Sequence, residues 1–149
     1  MSGIVLVLSG PNLNLLGTRE PEHYGTDTLD DHVGRVRAAV EPHGLEVEHL
    51  QSNAESDLVE AVHGARDRCA AIIVNGAALT HYGWSLHDAL AAFDGVVIEV
   101  HLSNPHAREA WRNTSVLAPV ADGTVTGFKG LGYELAAEAV TRLLAERAS

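Results

Sequence analysis

The chain has 149 residues, 46% of them hydrophobic and 20% charged, the size and composition of one ordinary globular domain rather than a two-domain enzyme. At this length about 70% of the unfolded chain's surface is buried on folding, so no disulfide or metal is needed; the lone Cys69 fits a reducing compartment and reads as a small core hydrophobe. Ten Lys plus Arg against twenty Asp plus Glu give a formal net charge of −10, a poor surface for nucleic acid.

Residues 4–8 (IVLVL) are an unbroken, β-branched apolar run, suited to a strand buried on both faces of a parallel sheet. The following SGPNLNLLGTREPEHYGTD is polar and rich in Gly and Pro, and its part over residues 17–26 is expected to form a mobile flap. A helix is predicted over 28–40 behind Asp27 as its cap, then an alternating strand over 45–50 that ends in QSN. A helix over 55–68 follows Ser52 and Asn53 and leads to an apolar strand over 70–74 and the loop NGAALTH. An amphipathic helix over 85–93 precedes a strand over 96–100, whose end carries HLSNPHAREAWRN. A weaker strand over 124–128 and a helix over 131–147 close the chain, and GFKGLGYE between them reads as turn and close packing rather than phosphate binding. Strands and helices alternating through short connections predict one three-layer α/β domain over residues 1–149 with a five-stranded parallel sheet. No apolar run reaches the roughly 18 residues of a membrane span, and the start has no export pattern, so a soluble, cytoplasmic protein without a membrane partner is expected.

In an open parallel sheet the ligand crevice lies beyond the carboxyl ends of the strands. Polar residues gather there: Asn12, Arg19 and Tyr24 after the first strand, Asn75 and His81 after the third, His101, Ser103, Arg108 and Arg112 after the fourth. No GxGxxG follows the first strand, and no Lys-Ser or Lys-Thr follows Gly17, so neither a dinucleotide fingerprint nor a P-loop is present. His81 and His87, like His101 and His106, match no HExxH or finger spacing, and no metal is expected. His23, His32, His43, His49 and His63 are read as solvated side chains. What remains is a tyrosine and a histidine able to move protons, three arginines, and amide donors for an oxyanion. With no Cys/His pair, GxSxG or strand-end carboxylate pair, the set points to proton abstraction or elimination on a small polar anion. A tyrosine ionises near pH 10, so populating its anion near neutrality takes about 4 kcal/mol of favourable electrostatics. Arg19, on the same loop as Tyr24, is a candidate source.

GPNLNLLGTREPEHYG, QSN, NGAALTHYGWSLHDAL and EVHLSNPHAREAWR, in this order over almost the whole chain, resemble the signature blocks of the type II 3-dehydroquinate dehydratases of the shikimate pathway. The resemblance implies a flavodoxin-like fold, no cofactor, and a homododecamer built as a tetramer of trimers. It also implies anti elimination of water from 3-dehydroquinate to 3-dehydroshikimate through an enolate. Tyr24 would be the base beside the ketone, Arg19 its electrostatic support, and His101, oriented by Glu99, the acid for the departing hydroxyl. Asn12 and Asn75 would hold the water or donors facing the enolate oxygen, the Leu102 and Ser103 amides would take the carboxylate, and His81 and Arg112 the ring hydroxyls. Arg108 would support the Tyr24 side, and Asp88 would reach the site of a neighbouring subunit. Gly76 and Gly83 stand where the family usually has Pro and Ser, changes expected to loosen the loop that aims Asn75 and His81. His87, Ala54 and the pair Asn113 and Thr114 stand where an arginine, a histidine and a histidine pair are common.

Two other readings compete. The unrelated type I dehydratases use a lysine Schiff base, but the single lysine, Lys129, lies in the Gly-rich last-strand region rather than in a crevice block. A flavodoxin-like binding or assembly module without catalysis is the second, and the presence of Tyr24, Arg19 and His101 argues against it.

Overall fold

The computed structural model describes residues 3–149. Five strands, β1 (Ile4–Ser9), β2 (Glu46–Gln51), β3 (Ala71–Asn75), β4 (Val96–His101) and β5 (Gly123–Thr126), form one parallel sheet in the order β2-β1-β3-β4-β5. The chain runs outward from β1 to β2 and then returns to β3 on the other side of β1. That reversal leaves a crevice at the carboxyl ends of β1 and β3, where an open α/β sheet binds its ligand.

Helices α1 (Pro21–Tyr24), α2 (Leu29–Val40), α3 (Glu55–Ala65), α4 (Trp84–Ala91) and α5 (Leu131–Ala148) complete the fold. Because strand side chains alternate between faces, Val5, Val7 and Ile73 pack with Val33 and Val36 of α2 and with Tyr133 and Val140 of α5. Leu6, Leu8, Ile72 and Val74 face the other way, onto Leu58 and Val62 of α3 and Leu86 and Leu90 of α4. The result is the three-layer, flavodoxin-like arrangement. Cys69 is buried in the second cluster, and desolvation pushes its thiol up, away from reactivity. Among the described residues no helix is long and apolar enough to cross a membrane.

Several boundaries differ from the sequence expectations for local reasons. The cap of α2 is Thr28, not Asp27: Thr28 Oγ1 accepts from the Asp31 N–H at 3.2 Å and Asp31 Oδ2 accepts from the Thr28 N–H at 2.9 Å. Those bonds hold the Asp31 carboxyl below its ordinary value, and Asp27 is left to pair with Arg35 at 2.5 Å. The third helix stops at Ala65 because Arg66 N–H to His63 O and Arg68 N–H to Ala65 O bonds tighten its last turn. The fourth starts at Trp84 and ends at Ala91 rather than running over 85–93. The last strand occupies Gly123–Thr126 rather than 124–128, since Gly127 turns the chain away with φ 91°.

Candidate active site

The loops after β1, β3 and β4 converge on one cleft of about 550 Å³. Convergence begins at Gly10, whose N–H donates to Asn75 O at 2.8 Å. A Cβ there would stand 2.5 Å from the Gly76 carbonyl oxygen, so only glycine lets the two loops approach this closely. Asn12 follows in a left-handed conformation, φ 69°, which asparagine tolerates. Its N–H donates to Asn53 Oδ1 at 3.0 Å, and Gln51 Nε2 donates to the same oxygen and to Gly10 O, both at 3.2 Å. The QSN block therefore braces the first loop from β2.

Arg19 and Tyr24 enter from the segment around α1, where Glu20 takes a left-handed φ of 39° and Pro21 starts the short helix. Tyr24 is buried, with the Arg19 and Arg108 guanidinium carbons each 5.1 Å from its ring centroid. Glu20 ties the two cations together at 3.7 and 3.8 Å. Arg108 also donates to Ser103 Oγ at 3.1 Å.

On the β4 side, Glu99 and His101 are two residues apart and so share a face of the strand. His101 Nε2 meets Glu99 Oε2 at 2.6 Å, a buried, charge-assisted pair. Ser115 Oγ donates to the same carboxylate oxygen at 2.8 Å and itself accepts from the Leu117 and Ala118 N–H groups. His81 Nδ1 lies 2.7 Å from the Thr114 carbonyl oxygen, which can only accept, so Nδ1 carries the proton. Burial holds the His81 pKa below its ordinary value, leaving Nε2 as an acceptor in the neutral ring. Trp111 joins this side: His81 meets it edge-on at 5.2 Å, and Arg112 lies 4.0 Å from its ring centroid.

The cleft thus brings together Asn12, Arg19, Tyr24, Asn75, His81, His101, Leu102, Ser103, Arg108 and Arg112. Glu99 stands behind His101. Asp88 is not in the cleft; its side chain is 85% exposed on α4. Lys129 lines a separate cavity with His32 and Arg35 on the other side of Tyr24. No group of three or more His, Cys, Asp or Glu is placed to hold a metal among the described residues.

A model of the family described as dehydroquinase class II matches residues 3–141. The chain belongs to the class II dehydroquinases. A "3-dehydroquinate dehydratase 2" of Pseudomonas putida is 46% identical over 149 residues, the whole of both chains. A 3-dehydroquinate dehydratase of Bacillus licheniformis is 52% identical over 132 residues, 89% of this chain and 91% of that one. The crystal structure of the type II dehydroquinase from Propionibacterium acnes matches with a TM-score of 0.88 at 41% identity, covering 95% of this chain and 98% of that one.

Within this class II dehydroquinase, Gly76 does not use glycine's freedom. It sits at φ −75°, ψ −6°, where any residue sits, hemmed in by Thr80 and Leu117. A Cβ on Gly83 would meet the Leu79 carbonyl oxygen at 2.6 Å, so the turn before α4 is tight. Neither position is therefore an open, slack loop. The solvated reading of the histidines fails for two. His32 is 1% exposed and stacked on Tyr133, and His49 is partly buried with Nε2 3.0 Å from Ser9 Oγ. Sequence reasoning also missed Glu20, Trp111, Ser115 and Tyr133, whose contacts join residues distant along the chain. The aromatic Trp111 within the polar HAREAWRN block was the one available signal.

Proposed function

We propose that this cleft converts 3-dehydroquinate to 3-dehydroshikimate by anti elimination of water through an enolate, without a Schiff base. The observation that carries the reading is a proton-moving pair in one cleft: Tyr24 against two guanidinium groups, and His101 backed by a buried carboxylate. Tyr24, as the phenolate, removes the proton beside the ketone, with the Arg19 and Arg108 guanidinium groups each 5.1 Å from its ring centroid. The electrons move onto the ketone oxygen, where Asn12 and Asn75, directly or through water, supply donors to the enolate. His101 then protonates the departing hydroxyl, and Glu99, itself held by Ser115, stabilises the imidazolium that donates it.

Leu102 and Ser103 amides take the carboxylate at the end of β4, while Arg112 and His81, the latter as an acceptor through Nε2, hold ring hydroxyls. Lys129 does not line the cleft, which supports a route that forms no imine. The segment over residues 17–26 works as a flap that brings Arg19 and Tyr24 onto bound substrate. The working particle is a cytoplasmic homododecamer, a tetramer of trimers, in which Asp88 reaches the cleft of a neighbouring subunit; its exposure on α4 supports that role.

The test is formation of the enone chromophore from 3-dehydroquinate, with and without borohydride. Enone formation unaffected by borohydride is expected. No turnover from folded oligomer, or borohydride trapping of substrate on Lys129, would overturn the assignment.

A further inference from the structure

The turn between β5 and α5, residues 127–130, touches both proton-moving halves of the cleft. Its backbone is tied to the end of β4: the Gly127 N–H donates to His101 O at 3.2 Å, and the Lys129 N–H donates to Leu102 O at 2.9 Å. His101 is the proposed acid, and Leu102 supplies one of the amides proposed for the substrate carboxylate. Lys129, the chain's single lysine, makes its bond from a left-handed backbone, φ 51°. Glycine takes that conformation freely, whereas a residue with a Cβ is strained in it, so a lysine here points to a contact made by its side chain.

That contact is with the flap. Gly25, the residue after Tyr24, turns the chain at φ 80°, and a Cβ on it would stand 3.7 Å from Lys129 Cδ. The lysine stem therefore lies over bare backbone at the end of α1. Lys129 also borders two cavities that flank this helix, one shared with Pro21, Tyr24 and Thr26, the other with Glu22 and His23. With open space on either side, the stem is a support of the flap on this flank. Lys129 is exposed, and its ammonium makes no ion pair among the described residues, so the charge stays in water while the methylenes make the contact.

We infer, on the dehydratase reading above, that Lys129 is a positioning residue for the elimination: its aliphatic stem docks the flap on the turn that holds the end of β4, and so sets Tyr24 relative to His101. A base and an acid that act on one ring must be held at a fixed separation, and a misplacement of about 1 Å can cost about 10²-fold in rate. The amine itself takes no part in the chemistry, in keeping with a cleft that Lys129 does not line.

Lys129→Gly relieves the left-handed strain and removes the stem, so the fold is kept while the dock is lost. It is expected to lower kcat about tenfold with a urea midpoint at or above the parent's. Cleavage of the flap after Glu22 by a glutamate-specific protease is expected to speed up, because the flap lifts more often. Lys129→Met keeps an unbranched stem without the charge, and is expected to return kcat to within about twofold of the parent and to restore resistance to the protease. A parent-like kcat or parent-like flap cleavage in Lys129→Gly, or a Lys129→Met variant as slow as Lys129→Gly, would overturn the inference. So would a loss of kcat that comes with a lower urea midpoint, the mark of a merely structural contact. A parent enzyme that forms no enone overturns the dehydratase reading and this inference with it. An active parent with an unaffected Lys129→Gly overturns the inference alone.

Discussion

His101 depends on a carboxylate that never lines the cleft. His101→Ala removes the proposed acid and is expected to lower kcat by about 10²–10⁴-fold, the range of a general acid, with the fold intact. Glu99→Gln keeps a hydrogen-bonding group beside Nε2 but takes away its charge, so a smaller loss in kcat of about tenfold or more is expected. Steady-state kinetics on both variants check the order of these effects, and equal, parent-like rates would remove the pair from the mechanism. At this scale the sequence showed which residue types collect at strand ends, because a parallel sheet sends them all to one edge. What it could not show were contacts that depend on side-chain reach. Tyr133 meets Asn75 across 58 positions, and Ser115 meets Glu99 from an irregular stretch with no motif of its own. His32 reads from the sequence as a solvated side chain, yet it is buried and stacked on Tyr133 of α5.

The helix that follows the flap is α2, and its start is set by the reciprocal Thr28 and Asp31 bonds. Thr28→Ala removes half of that box and is expected to cost about 1 kcal/mol, read as a lower urea midpoint at unchanged slope. A second prediction follows from histidines built into elements. His32 on α2, His49 on β2 and His81 after β3 all have pKa values lowered from the ordinary 6.5, in each case chiefly by burial. The unfolded chain protonates them near 6.5 and the folded one resists, so their stabilisation is complete above that pH and drains away as pH falls below it. Urea midpoints are expected to drop between about pH 7 and about pH 5, and to drop less in His32→Phe. A flat profile in the parent would contradict the buried, neutral assignment. Asp27 and Asp31 favour the charged form of His32 and Arg35 opposes it, but desolvation outweighs them. Element existence and type were legible from periodicity, and the ends were not, because ends are decided by single events: a threonine that caps, or Gly127 at φ 91°.

For the whole molecule, a charge of −10 coexists with three arginines in one cleft. That local reversal suits a small anion and explains why an acidic protein can bind one. Trp84 and Asp88 lie one turn apart on α4, both exposed, Trp84 at 62%. A large apolar side chain beside an exposed carboxylate fits a surface that a second copy covers. Sedimentation is expected to report twelve copies of the 15.8 kDa chain, and a monomer at assay concentrations would contradict the proposed assembly and the role given to Asp88. The central claim, however, is that Tyr24 takes the proton in an elimination that needs no lysine. Its most direct test is the rate of enone formation from 3-dehydroquinate by the parent and by Tyr24→Phe, each shown folded by its thermal midpoint. The parent is expected to form the enone and Tyr24→Phe to lose about 10²-fold or more in kcat; near-parental turnover in Tyr24→Phe, or none in the parent, would contradict it.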